Sequence, residues 1–406
     1  MLVENTVYIP DDSECRTCNQ CSAHCPTFNV NRVQAESPRG RLKSIAKLLV
    51  EKQQLSTEEI SHLNNCVECL ACEKVCPSKM QYRNLLSQAK KQLPPTNISV
   101  VSRALQFIAN KRKLRIIVHY LLRIYQKSNL QEIFQSTGLA RLSKTQRLNA
   151  LLHPLTEYKP LHSFYPACNQ KTGTVALFTG CIAAEMDNAS LQASIKLLTH
   201  LGYDVIVPKQ QSCCGALYER DHLEKQTEKL LTHNAQLFNQ LSVDAIVYNA
   251  SACGAQLLKN QSLFKQPFKE ISEFISEQPW PDNLELSPLR ARIAVHEPCS
   301  QQYPLAVSKN IYQLLEKIPR TTIEPLPDNN VCCGAGGSYM LSHPQLSDAI
   351  REHKIEHMRA NHYDYVVTSN YGCAAHLAAG CKLAGIDFQL AHPVELLAQQ
   401  IVMSKG

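Results

Sequence analysis

Eight of the chain's 18 cysteines fall into two short runs, "CRTCNQCSAHCP" at 15–26 and "CVECLACEKVCP" at 66–77. In each run three thiols stand at intervals of three, a fourth follows four positions on, and a proline comes next. One turning loop can present three such thiolates to three irons of a cuboidal cluster, while the proline steers the fourth away to a neighbouring cluster. The spacing therefore predicts one 4Fe-4S cluster on Cys15, Cys18, Cys21 and Cys76, and a second on Cys66, Cys69, Cys72 and Cys25. A pair of zinc sites fits less well, because structural zinc favours two separated CxxC pairs with a longer gap. Interlocked clusters lie close together, which suits electron relay better than chemistry on a substrate.

Eight of the remaining ten cysteines belong to a repeat. "TVALFTGCIAAE", "QQSCCGALY" and "DAIVYNASACGAQL" recur in order as "ARIAVHEPCSQQ", "NNVCCGAGGSY" and "DYVVTSNYGCAAHL", at offsets of 118 (Cys181 to Cys299), 119 (Cys213 to Cys332) and 120 (Cys253 to Cys373). A duplicated module is the consequence. Each copy carries four thiols: Cys181, Cys213, Cys214 and Cys253, then Cys299, Cys332, Cys333 and Cys373. They are candidate ligands for at least one further iron-sulfur cluster, with the copy that holds it left open. Gly215 and Gly334 follow the paired thiols, where a positive φ would let the backbone approach an inorganic group. Cys168 and Cys381 read as buried small residues. His296 and His376 read as surface or hydrogen-bonded side chains, with iron ligation or tuning the alternative.

These residues need elements to position them. Around the quartets, "SPRGRLKSIAKLLV" and "STEEISHLNN" have helical period, with Ser56 or Thr57 as N-cap. Within each repeat, short β-branched runs ("VALF", "YDVIV", "AIVYN"; then "RIAV", "YDYVV") alternate with helical stretches, which is the rhythm of a parallel α/β sheet. The cysteines follow the strands, so they should meet at the carboxyl ends. The expected fold is multidomain α+β: an α-helical, two-cluster ferredoxin-like domain at 1–95, a basic helical connector at 96–172, and cysteine-rich α/β copies at 173–288 and 289–406. The connector segment 103–127 sets Arg103, Lys111, Arg112, Lys113, Arg115, Arg123 and Lys127 among apolar residues. It reads either as a face for an anionic membrane or partner, or as a solvated helix with one packed face.

Composition narrows the class. A chain of 406 residues with 44% hydrophobic content supports several cores. Cysteines clustered at ligand spacing point to a reducing compartment rather than a disulfide scaffold. "MLVENTVYIPDDSE" has no order of charged then apolar residues, and no stretch reaches a bilayer span, so a cytoplasmic or surface-bound protein is expected. The formal charge of +7 counts thiols as neutral; two thiolate-bound clusters would cancel roughly half of it, which weakens a nucleic-acid reading. There is no dinucleotide fingerprint, P-loop or Ser-His-Asp context, and "GAGG" at 334–337 does not open a phosphate loop. Flavin and nucleotide are therefore expected elsewhere, in a partner.

Taken together, the two CxxCxxCxxxCP runs, the linking "SPRGR" at 37–41 and two CCG modules ending in "SACGA" and "YGCAAHL" resemble the iron-sulfur subunit of bacterial glycolate oxidase over essentially the whole chain. Lactate-utilisation proteins, the anaerobic glycerol-3-phosphate dehydrogenase subunit and heterodisulfide reductase subunits look similar over parts of it. The resemblance implies an electron-transfer subunit that serves an FAD-containing 2-hydroxy-acid dehydrogenase, for glycolate or D-lactate, and passes electrons towards quinone at the inner face of the cytoplasmic membrane. One departure is visible: reductase-type modules end in CxxC, and the first of those positions is Ala250 in one copy and Asn370 in the other. A heterodisulfide-reductase-like enzyme with its chemistry at the CCG site is the alternative, and an inert zinc scaffold a third.

Overall fold

The computed structural model describes residues 15, 18–93, 100–128, 143–152, 155 and 158–403. The amino-terminal stretch "MLVENTVYIPDDSE" and the connector segments 94–99 and 129–142 lie outside them.

The first unit is helical: α1 (Gln20–Ala23), α2 (Pro26–Asn31), α3 (Pro38–Leu49), α4 (Thr57–Asn64), α5 (Ala71–Lys74) and α6 (Tyr82–Gln92). Its caps come from the expected residues. Ser56 caps α4 in a full capping box with Glu59. Ser37 caps α3, accepting from the Gly40 N–H at 3.0 Å, with Pro38 at the first helical position. Ile45, Leu63, Leu85, Leu86 and Ala89 form the core, each large side chain contributing roughly 1.5–3 kcal/mol on burial. The short α1 and α5 face each other and carry the cysteine loops.

The connector supplies α7 (Val100–Ala109), α8 (Arg112–Lys127) and α9 (Ser143–Ala150). The first copy follows, with β1 (Phe164–Tyr165), β2 (Gly173–Phe178), α10 (Ile182–Met186), α11 (Asn188–His200), β3 (Tyr203–Ile206), α12 (Ala216–Arg220), α13 (Glu224–Phe238), β4 (Ala245–Tyr248), α14 (Ser251–Lys259), β5 (Phe268–Glu270) and α15 (Ile271–Ser276). Its sheet runs β1-β3-β2-β4-β5, parallel except for β1. The sheet thus begins upstream of residue 173. After β6 (Leu284–Leu286) come β7 (Ala291–Val295), α16 (Ser308–Leu315), β8 (Thr321–Pro325), α17 (Tyr339–Ser342), α18 (Pro344–Ala360), β9 (Tyr365–Val367), α19 (Tyr371–Ala384), β10 (Gln389–Ala391), α20 (Pro393–Gln399) and β11 (Ile401–Met403). This second sheet, β8-β7-β9-β10, is all parallel and repeats the order β3-β2-β4-β5.

The two copies are joined at their ends. Strands β6 and β11, each following the last helix of its copy, pair antiparallel with one another. Alternation along the strands then decides which layer each side chain joins. Val175, Leu177 and Val247 of one sheet, and Ile293, Val295 and Val367 of the other, face a shared layer made of α11, α15, α16 and α20. Ala176, Phe178 and Ile246 point outward to the first copy's thiols, and Ala294 and Val366 to the second copy's. Each cysteine set therefore lies on the outer side of its sheet.

Candidate metal centres

Both ferredoxin-type loops bend the same way. The residue after the second cysteine of each run, Asn19 and Leu70, is left-handed at φ 47° and 66°, and the next residue starts α1 or α5. Leucine tolerates this conformation poorly, and such strain is held where the surroundings over-determine it. Cys25 is the N-cap of α2 with Pro26 in the first turn, so the proline turns the chain away after the fourth thiol. Cys15, Cys18, Cys21 and Cys76 line one cavity together with Met80 and Tyr82. Cys25, Cys66, Cys69 and Cys72 line a second with Arg41 and Val67, and Cys72 and Tyr82 border both. Two quartets of soft thiol donors around adjoining hollows are a donor set that fits two iron-sulfur clusters.

Arg41, inside "SPRGR", explains why that stretch accompanies the quartets. Its side chain is 1% exposed. Its Nε donates to the His62 carbonyl at 2.7 Å, one terminal nitrogen donates to Thr27 Oγ1 at 2.9 Å and pairs with Glu36, and the other reaches Cys25 Sγ at 3.7 Å. Burial opposes its charge, but Cys66, Tyr82, Cys25 and Glu36 outweigh that and hold the guanidinium protonated. Glu36 in turn accepts from Asn65 at 2.6 Å and meets His62 at 2.8 Å. Gly40 lets α3 approach, since a Cβ there would stand 2.2 Å from the Gln34 carbonyl. Burial first, then neighbouring thiols, raises Cys69 and Cys72 well above the ordinary cysteine value. A bound cation must therefore release those protons.

The eight CCG cysteines also converge, as strand-end placement predicts. In the first copy Cys181 contacts Cys213, Cys213 contacts Cys214, and Cys214 contacts Cys253. In the second, Cys299 and Cys332 stand 4.0 Å apart, and Cys333 contacts Cys332 and Cys373. Gly215 and Gly334 take φ of 89° and 84°, and each donates its N–H to the sulfur two residues before it, at 3.5 and 3.4 Å. Ala250 is the N-cap of α14, and Asn370 caps α19 by accepting from the Gly372 N–H at 3.1 Å. Helix caps thus occupy the positions where CxxC would add a thiol.

The second copy adjoins the dicluster cavity. Cys69 packs with Val67, Cys299, Cys332 and Tyr339. Two clamps hold this junction. Tyr339 Oη donates to the Asn65 carbonyl at 2.8 Å. Arg220, from the first copy, donates to the Val67 and Cys66 carbonyls at 2.9 and 3.3 Å and lies over the Tyr339 ring. "GAGG" serves this contact: a Cβ at Gly336 would meet Tyr339 at 2.9 Å and Val67 at 3.0 Å.

Several single-residue readings need correction. Cys381 is buried, with its sulfur 3.4 Å from that of Met358, but Cys168 is exposed. His296 and His376 are hydrogen-bonded but wholly buried rather than at the surface. In the basic connector, Arg115 is buried: it donates to Glu185 at 2.6 Å and to the Ala109 carbonyl at 2.6 Å. Helices α7 and α8 thereby dock on the first copy beside its thiols, where Ala109 packs.

Comparison with known proteins agrees with this architecture. Residues 12–80 match the 4Fe-4S dicluster domain family, and residues 175–258 and 293–378 each match the cysteine-rich domain family CCG. The probable glycolate oxidase iron-sulfur subunit of Bacillus subtilis is 27% identical, over 95% of this chain and 93% of its own length. The glycolate oxidase iron-sulfur subunit of Escherichia coli is also 27% identical, over 95% and 93%. A fumarate reductase (CoM/CoB) subunit of Methanothermobacter marburgensis is 26% identical over 58% of this chain and 48% of its own length. The chain is thus an iron-sulfur protein built from a 4Fe-4S dicluster domain and two cysteine-rich CCG domains, similar along nearly its whole length to glycolate oxidase iron-sulfur subunits.

Proposed function

We propose that this chain is the electron-transfer subunit of a 2-hydroxy-acid dehydrogenase, with glycolate or D-lactate as substrate of an FAD-containing partner and quinone as the final acceptor. The observation that carries the reading is the run of adjoining thiol sites, from the Cys15 cavity through the Cys66 cavity to Cys299 and Cys332. Bound at the two cavities, 4Fe-4S clusters supply one-electron acceptance and release. Cys15, Cys18, Cys21 and Cys76 would hold one, and Cys66, Cys69, Cys72 and Cys25 the other. Arg41 sets a fixed positive charge beside the second quartet, and the Tyr82 hydroxyl donates to Cys66 Sγ at 3.8 Å. Both favour the reduced, more negative state of that site. The CCG cysteines Cys181, Cys213, Cys214, Cys253, Cys299, Cys332, Cys333 and Cys373 form the candidate third region.

The connector supports a place on the inner face of the cytoplasmic membrane. Helices α7 and α8 expose Val100, Phe107, Ile117, Leu121 and Ile124, the last two at 60%, with Arg103, Lys111, Arg112, Lys113 and Lys127 exposed among them. Apolar residues interleaved with cations suit an anionic lipid surface. No helix among the described residues is long and apolar enough to cross a membrane. Disulfide chemistry at the CCG site has less support, since Ala250 and Asn370 stand at the CxxC positions.

The test is the Cys18→Ser and Cys69→Ser pair, assayed with the flavoprotein partner. Substrate should still reduce flavin while electron delivery to the acceptor is abolished; normal acceptor turnover in either variant would contradict the relay.

A further inference from the structure

The two copies bring four thiols to equivalent strand ends and surround them differently. By the repeat offsets of 118 to 120, Phe178 occupies the position of His296, Asn234 that of Lys354 and Gln256 that of His376. In the first copy Phe178 packs in an apolar cluster with Cys181, Cys213 and Cys214, and Asn234 donates to the Cys213 carbonyl at 3.0 Å. In the second, His296 is 1% exposed and brings a ring nitrogen near two thiols. The potential ligand atoms of His296, Cys333 and Cys373 all lie within 4.8 Å of one another. Among the described residues, no three potential ligands of the first copy converge in this way. The Nδ1 of His296 is 2.9 Å from Thr368 Oγ1, which leaves Nε2 for ligation and fixes the ring as hydrogen-bond partners of metal-bound histidines do. The buried Lys354 donates to the Pro327 carbonyl at 3.2 Å and brings a positive charge to the thiols' side of the sheet.

We propose that the second copy, and not the first, holds a thiophilic metal centre with His296 among its ligands, beside Cys333 and Cys373. Imidazole with thiolates is a donor set for zinc or for iron in a cluster. An apolar wall with Phe178 in the histidine's place offers no such ligand. The proposal deepens the electron-transfer reading, because Cys69 of the dicluster cavity packs against Cys299 and Cys332, but it does not depend on the substrate.

The full chain, purified without oxygen, is analysed for iron, acid-labile sulfide and zinc. His296→Phe and Cys373→Ser should lose the same metal, either one zinc or a set of irons with their sulfide. Cys253→Ser, the equivalent change in the first copy, should keep the wild-type content. Loss of zinc identifies a single ion and loss of iron with sulfide a cluster; both support the proposal. His296→Phe installs the residue that the first copy carries, and a thermal melt checks that the fold survives. Full metal retained by His296→Phe or Cys373→Ser, or equal loss from Cys253→Ser, would overturn the proposal. The iron bound at the dicluster cavities, followed separately through Cys18→Ser, reports on the electron-transfer reading alone.

Discussion

The two CCG copies have one strand order and one set of thiol positions, but different neighbours. The first copy's thiols lie among Phe178, Leu230 and Phe238 and beneath the docked connector helices. The second copy's lie beside His296 and Lys354 and against the dicluster loop. Both copies keep the same backbone device, in which strand ends and a left-handed glycine gather four sulfurs. What surrounds the sulfurs then decides what each copy does: the first anchors the connector and the second faces the clusters.

The contrast is broken most severely at the junction. Cys332→Ser should reduce acceptor turnover to the level seen without this subunit, while Cys213→Ser, its equivalent, should leave most of it; steady-state assays with the flavoprotein compare the two. Equal losses would make the copies functionally alike. Removing the buried charge at the clusters comes next. Arg41→Ala leaves the buried Glu36 without its guanidinium, held only by Asn65 and His62, and should cost about 3–5 kcal/mol, read by denaturant unfolding, together with loss of cluster absorbance. Arg115→Ala in the connector breaks the buried pair with Glu185 of the first copy and should also destabilise the chain, without touching that absorbance.

The clamps sharpen the picture further. Arg220→Ala removes two hydrogen bonds to the Cys66 loop and should cost about 1–3 kcal/mol, and Tyr339→Phe, which removes one, about 1 kcal/mol. For the connector, Leu121→Asp with Ile124→Asp should abolish cosedimentation with anionic vesicles, which high salt weakens in the unaltered protein; unchanged binding would rule out this face as the membrane contact.

The smallest effect concerns the caps that close the two copies. Glu270 caps α15, accepting from the Ser272 N–H at 2.7 Å, and burial pushes its carboxyl from 4.5 up to about 8. Its contribution is present below pH 4.5 and lost as pH rises towards 8. His392 caps α20, accepting from the Val394 N–H at 3.3 Å, and burial lowers it from 6.5 to about 4. Its contribution is present above pH 6.5 and lost as pH falls towards 4. Thermal melts should show Glu270→Gln flattening the alkaline decline and His392→Asn the acid one.

The quartets and the Ser56 cap were legible in the sequence because each depends on residues a few positions apart, and the repeat and its strand-end thiols because the same short patterns recur at nearly constant offsets. Arg41 was hidden because its partners are Thr27, Glu36 and the His62 carbonyl, brought together only by the packing of three helices. The left-handed Leu70 was hidden because leucine gives no local signal for that conformation, whereas Asn19 does. The Arg220 and Tyr339 clamps join residues more than 150 positions apart. The contrast between Phe178 and His296 is present in the repeat itself, but its meaning needed the strand pleat to aim both side chains at thiols.

The most direct test of the relay is to reduce the assembled complex with glycolate or D-lactate under anaerobic conditions and record its EPR spectrum. Signals from two reduced 4Fe-4S clusters, broadened by their mutual interaction, are expected, and their loss in Cys69→Ser while the flavin still bleaches. A fully reduced flavin beside clusters that stay oxidised in the unaltered protein would contradict the relay.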